Sequence, residues 1–150
     1  MLVSLSLSLY LLASCGEPKQ APVSSFEIVT DIHQTMELII DPAADIIWNS
    51  AGSIITKAGE QELAPTTPAG WLAVEAAAAV LAESGNLLIL PDRSRGTQWN
   101  NFANQLTDNG RAAMIAAEQK DAEALFEAGA NIYNVCAACH NHYQIESDFY

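Results

Sequence analysis

The sequence predicts an all-α fold, an antiparallel four-helix bundle. Along four separate segments apolar residues recur at alternating steps of three and four, the spacing that lines one face of a helix. No segment shows a convincing strand-like alternation. Alanine-rich blocks such as 76–79 favour helix over strand, and half of the residues are hydrophobic, enough to fill one core.

The first segment places Val29, Ile32, Met36, Ile39, Ala43 and Ile46 on one stripe. Pro42 interrupts it. Asp41-Pro42 reads either as the cap and first residue of a new helix or as a kink in one long helix, and the kinked helix is the expectation. The second segment has a Thr67-Pro68 start signal followed by Trp71, Val74, Ala78, Leu81, Gly85 and Leu88. Pro91 stops it, unless Gly85 ends it earlier as a C-terminal cap. The third carries Trp99, Phe102, Leu106, Gly110, Ala113 and Ala117. The fourth opens at Asp121 and runs Leu125, Gly129, Ile132, Cys136, Cys139, Tyr143. Trp48, Trp71 and Trp99 read as core aromatics. In an antiparallel bundle the end of the fourth helix lies beside the beginning of the first, so His140 is expected to face residues 32–36.

The fourth stripe ends in Cys136-Ala137-Ala138-Cys139-His140, a C-x-x-C-H pattern that reads as a covalent attachment site for c-type haem. Positions i, i+3 and i+4 share one helix face, so two thiols and an imidazole can meet one flat ligand. The thiols would add to the porphyrin vinyl groups while His140 binds the iron. Two other chemistries use similar residues. A redox C-x-x-C belongs at a strand-to-helix junction, whereas the stretch before Cys136 reads as helix. A structural zinc site wants four ligands, and Cys136, Cys139, His140 and His142 are poorly spaced for tetrahedral closure. No carboxylate pair, nucleophile with base, or phosphate loop stands out, so an independent enzyme is not expected.

At the amino terminus, residues 2–13 form an apolar run well below the ~20 residues of a spanning helix, which makes it a targeting segment. Leu12-Ala13-Ser14-Cys15 resembles the bacterial lipobox, implying cleavage after residue 14 and a membrane-anchoring lipid on Cys15. No Lys or Arg precedes the run, and an ordinary secretory peptide is the alternative. Either way the chain is exported, and the lipobox implies a membrane-anchored protein of the bacterial periplasm. Residues 15–25 are rich in Pro, Gln and Ser without an apolar period and read as a tether, its stretch from Gly16 to Ser25 reaching at most ~35 Å. Residues 26–150 remain for one domain with a single core. The formal charge of −12 and pI near 4.3 argue against nucleic acid as a partner. They suit a redox partner protein with a basic docking patch, although an acidic surface also keeps an exported protein soluble. A homodimer is left open.

With C-x-x-C-H at the end of a fourth helix, residues 26–143 resemble the class II cytochromes c, the cytochrome c-prime type and its low-spin relatives. The resemblance implies one covalent haem c on Cys136 and Cys139, with His140 as an iron ligand. In low-spin members a methionine from the first helix binds the iron opposite the histidine, and Met36 falls at the matching place. High-spin members leave that side open. His33, one turn earlier, is the competing ligand, and His142 follows the motif too closely to reach the opposite face. Family members often place Arg or Lys beyond an aromatic residue after the motif; here Gln144 follows Tyr143. Tyr143 is expected to pack on haem or helix. Arg93 and Arg95 are candidates for pairing with haem propionates, although a solvated loop is the expectation there. The implied activity is single-electron carriage by outer-sphere transfer. The alternatives are a five-coordinate protein binding nitric oxide or carbon monoxide, and a haem lipoprotein subunit of a membrane respiratory complex.

Overall fold

The computed structural model describes residues 26–143. The expected leader, the tether and its Cys15 lie outside the described residues, as does Gln144. Four helices and a two-stranded hairpin make up the described chain. Helix α1 is continuous over 32–48 and has three parts: an α-turn Ile32–Thr35, a π-helical turn Met36–Ile40 and an α-segment Asp41–Trp48. Strands β1 (Ser53–Thr56) and β2 (Gly59–Glu62) follow, then α2 (Pro68–Leu88), α3 (Thr97–Gln119) and α4 (Ala122–Tyr143).

Helix α1 starts on a capping box. The Asp31 carboxylate accepts from the Gln34 N–H at 2.7 Å, and the Gln34 side chain accepts from the Asp31 N–H at 3.2 Å. Pro42 does not break the helix. In a regular α-helix its ring would collide with the carbonyl four residues back, and it has no N–H to donate. The preceding turn widens instead: the Asp41 N–H bonds to the Met36 carbonyl, five residues back. The expected kink is thus a π-turn, and its extra residue shifts the buried face. Thr35, Ile40, Ala43, Ala44 and Ile47 are buried, whereas Ile46 is 43% exposed and Val29, which precedes the helix, is 85% exposed.

The hairpin departs from the all-helical expectation. Ser53 pairs with Glu62 and Thr56 with Gly59, and every strand residue is exposed. Its sequence signal was the β-branched run Ile54-Ile55-Thr56 ahead of Gly59, whose φ of +128° suits glycine. Neither face meets a core, so nothing imposes alternation.

In α2 the Thr67 hydroxyl accepts from the Gly70 N–H at 3.1 Å and Pro68 takes the first helical position, as the start signal implied. All six residues of its stripe are buried, and the helix runs past Gly85 to Leu88. Gly85 is a crossing point rather than a cap: a Cβ there would collide with the Ala103 carbonyl and the Thr107 hydroxyl of α3. A Cβ on Gly110 would lie 2.6 Å from the Ala82 nitrogen and 2.8 Å from its Cα. These contacts pair 85 with 103–107 and 82 with 110, so α2 and α3 run antiparallel with their backbones nearly touching. The Asp121 carboxylate accepts from the Ala124 N–H at 3.0 Å and opens α4.

Helices α1 and α4 also run antiparallel. Trp48 donates from Nε1 to the Gly129 carbonyl at 3.0 Å near one end, while Met36 and Cys136 share a cavity near the other. Leu81, Ile47, Leu125, Ile132 and Val74 fill the centre, with Trp71 and Trp99 buried and Trp48 only half-buried. The connection at 89–96 is not solvated throughout. Arg93 is buried and donates to the carbonyl and hydroxyl of Thr30 and to the Leu87 carbonyl, tying the chain ahead of α1 to the end of α2.

Gly110→Ala is expected to destabilise the fold by about 1–3 kcal/mol in urea unfolding, because the new methyl meets backbone, which yields less readily than a side chain. Unchanged stability would show that α2 and α3 separate without penalty.

Candidate functional site

The last turns of α4 present Cys136, Cys139 and His140 to an apolar cavity that Met36 and Ile40 of α1 also line. Trp99, Phe102, Leu106 and Val135 supply much of the remaining wall. The antiparallel packing of α1 on α4 makes this meeting possible, and the π-turn sets which α1 side chains reach it. Trp99 is held rigidly: it is 2% exposed and its Nε1 donates to the Leu88 carbonyl at 2.7 Å. Tyr143 packs edge-on against Trp99 with ring centroids 5.2 Å apart. Beside them the exposed Arg95 guanidinium lies 5.0 Å from the Trp99 ring and 5.9 Å from Tyr143, a cation over two aromatic faces.

The structure separates the remaining candidates from this cluster. His33 has a side chain 79% exposed and pairs with Glu37 at 3.7 Å instead of lining the cavity. His142 is exposed and rests against Phe102, ring centroids 5.9 Å apart. Arg93 is committed to Thr30 and Leu87. Tyr143 packs on a helix side chain, as one of its two expected roles allowed. Sequence reasoning placed Phe102 on an apolar stripe and Asp41 at a helix start without assigning either to this site, and it did not single out Ile40. Asp41 follows the π-turn, and its charge acts on both His140 and Cys136.

Burial dominates the electrostatics. The Cys136 thiol is pushed up to about 11, first by burial and then by the negative charges of Asp41 and Cys139. Cys139 is raised by burial, with Arg95 opposing the shift. Asp41 is raised by burial too, with His140 pulling it down and Asp45 and Glu37 pushing it further up. Both cysteines are free thiols. A buried thiol raised this far holds little thiolate at neutral pH, the opposite of what a nucleophilic redox cysteine needs. Among the described residues no group of three or more His, Cys, Asp or Glu side chains is placed to hold a metal ion.

A haem is fitted by this donor set in kind. Two thiols and an imidazole share one helix face, a thioether lines the same cavity, and the remaining walls are apolar. The cavity volume is about 30 Å³, the space of about one water molecule. A macrocycle is accommodated only as the surrounding side chains part.

In chain produced without haem, Cys136 should alkylate slowly with iodoacetamide at pH 8, because a thiol with a pKa of about 11 is thiolate in only about one molecule per thousand there. Asp41→Asn removes a charge that raises this pKa, so the rate should increase; no change would show that the Asp41 field does not reach the sulfur. Compared with known protein families, with curated proteins and with solved structures, the chain matches none.

Proposed function

We propose that this chain is an exported monohaem cytochrome of the c type that carries single electrons through a haem attached at Cys136 and Cys139 and ligated by His140 and Met36. One observation supports it above all: Met36 lines the same apolar cavity as the two thiols and the imidazole of the C-x-x-C-H motif. A C-x-x-C-H at the end of the fourth helix, in a mostly helical chain, agrees with the resemblance to class II cytochromes c.

Haem supplies an iron that alternates between ferric and ferrous states without making or breaking bonds to a substrate. The protein's part is binding, exclusion of water and charge. His140 and Met36 would both hold the iron, and a group held from both residues would carry electrons rather than bind a substrate or gas. Trp99, Phe102, Leu106 and Val135 keep the surroundings apolar, which disfavours the extra positive charge of the ferric state. The soft thioether of Met36 acts in the same direction, so both raise the potential. Asp41, whose carboxyl is pulled down by His140, would bring a negative charge beside the site and oppose them. Arg95, poised over Trp99 and Tyr143, is the cation at hand for the carboxylates of the ring.

The lipobox-like Leu12-Ala13-Ser14-Cys15 supports anchoring through Cys15 on the periplasmic side of a bacterial membrane, with residues 16–25 as the tether. The charge of −12 favours a partner that docks through basic residues.

Met36→Ala tests the ligation. The variant is expected to lose the ferric thioether charge-transfer band, to show a lower reduction potential, and to bind carbon monoxide in the ferrous state. Unchanged spectra with no carbon monoxide uptake would remove Met36 from the iron.

A further inference from the structure

We propose that Pro42 selects the sixth iron ligand: by forcing the π-turn of α1, it turns His33 away from the cavity while Met36 still lines it. The inference rests on the haem reading above and concerns how the same site chooses between two ligands on one helix.

The geometry follows from counting turns. Ile47, Ala43 with Ala44, and Ile40 mark the buried face of α1. Continued backwards at about 3.6 residues per turn, that face would centre on Met36 and then between Ile32 and His33. In a regular helix His33 would therefore lie within roughly 40° of the cavity face, one turn from Met36, with an imidazole that binds iron well. The π-turn at Met36–Ile40 adds one residue, which rotates everything before it by about 100°. The observed burial follows the rotated count: Thr35 is fully buried and Ile32 is half-buried. Met36 still lines the cavity. His33 points outward, with 79% of its side chain exposed, and lies 3.7 Å from the Glu37 carboxylate.

Pro42 is the local cause. It has no N–H for the bond to the Leu38 carbonyl that a regular helix would make, and its ring would strike that carbonyl. The wide turn relieves both problems through the Asp41 N–H bond to Met36. Pro42 itself is exposed and does not line the cavity, so it acts on the ligands only through the helix. It is a positioning residue.

The test is Pro42→Ala in the full, exported chain, read in two ways. Alanine restores the missing donor and favours a regular helix, so the variant is expected to fold. In the ferric protein the thioether charge-transfer band should be lost or reduced as His33 competes for the iron, and the potential should fall. Adding His33→Gln to Pro42→Ala should bring the band back. Independently of haem, the rate at which diethyl pyrocarbonate modifies His33, followed by peptide mass, should drop several-fold in Pro42→Ala as the imidazole turns inward. A Pro42→Ala protein with the wild-type band, the wild-type potential and an equally reactive His33 would overturn the inference. If the wild-type chain carries no haem, the proposed function fails by itself, and the His33 modification rate still decides whether Pro42 sets the rotation.

Discussion

The hydrogen bond from the Trp48 indole to the Gly129 carbonyl fixes α1 against α4, and the candidate site depends on that register. A Cβ on Gly129 would only touch Trp48 and Ile47 at ordinary contact distance, so the bond rests on the Gly129 carbonyl and not on the missing side chain. From this anchor the two helices run in opposite directions for similar lengths. Met36 lies twelve residues before Trp48, and Cys136 to His140 lie seven to eleven residues beyond Gly129. At about 1.5 Å per residue both spans come to roughly 10–18 Å, so the thioether and the C-x-x-C-H face arrive at the same level of the molecule.

The rest of the fold serves to hold that level steady. Gly85 and Gly110 let α2 and α3 approach backbone to backbone, which positions Trp99 and Phe102 at the start of α3 against the end of α4. Trp99 is then fastened to the Leu88 carbonyl, and Arg93 fastens the strand of chain ahead of α1 to the same end of α2. The cavity thus sits at the end of the bundle where the chain before α1, the α2–α3 connection and the last turn of α4 are tied together. Acidic residues crowd its α1 side, where burial first and then the charges of Asp45 and Glu37 raise the Asp41 carboxyl, and Arg95 stands over two aromatic rings.

Much of this was legible in the sequence because the signals were redundant. In α2 a Thr-Pro start, a strict apolar period and a following proline all agreed, and the stripe was buried throughout. The C-x-x-C-H motif needed only a helix to bring its three donors to one face, and periodicity supplied the helix. The π-turn was hidden because the neighbouring positions are paired: Ile39-Ile40 and Ile46-Ile47 offer an apolar residue to either phase, so the pattern could not reveal one extra residue. The hairpin escaped for a different reason. Periodicity reports contact with a core, and these strands touch none. Arg93 was misjudged because an arginine in a short connection is ordinarily solvated, and only the fold brings Thr30 and Leu87 to it. Asp41 was noticed as a helix cap, and its nearness to His140 emerged only from the packing of α1 on α4.

The central claim is a covalent one, and chemistry on the unfolded polypeptide tests it most directly. Mature chain from a host able to attach haem should be denatured, extracted with acidified organic solvent to strip any unattached porphyrin, and treated with a thiol-alkylating reagent. The expected result is a coloured polypeptide whose peptide spanning Cys136 to His140 carries one porphyrin and takes up no alkyl group. A colourless polypeptide with both Cys136 and Cys139 alkylated would contradict it.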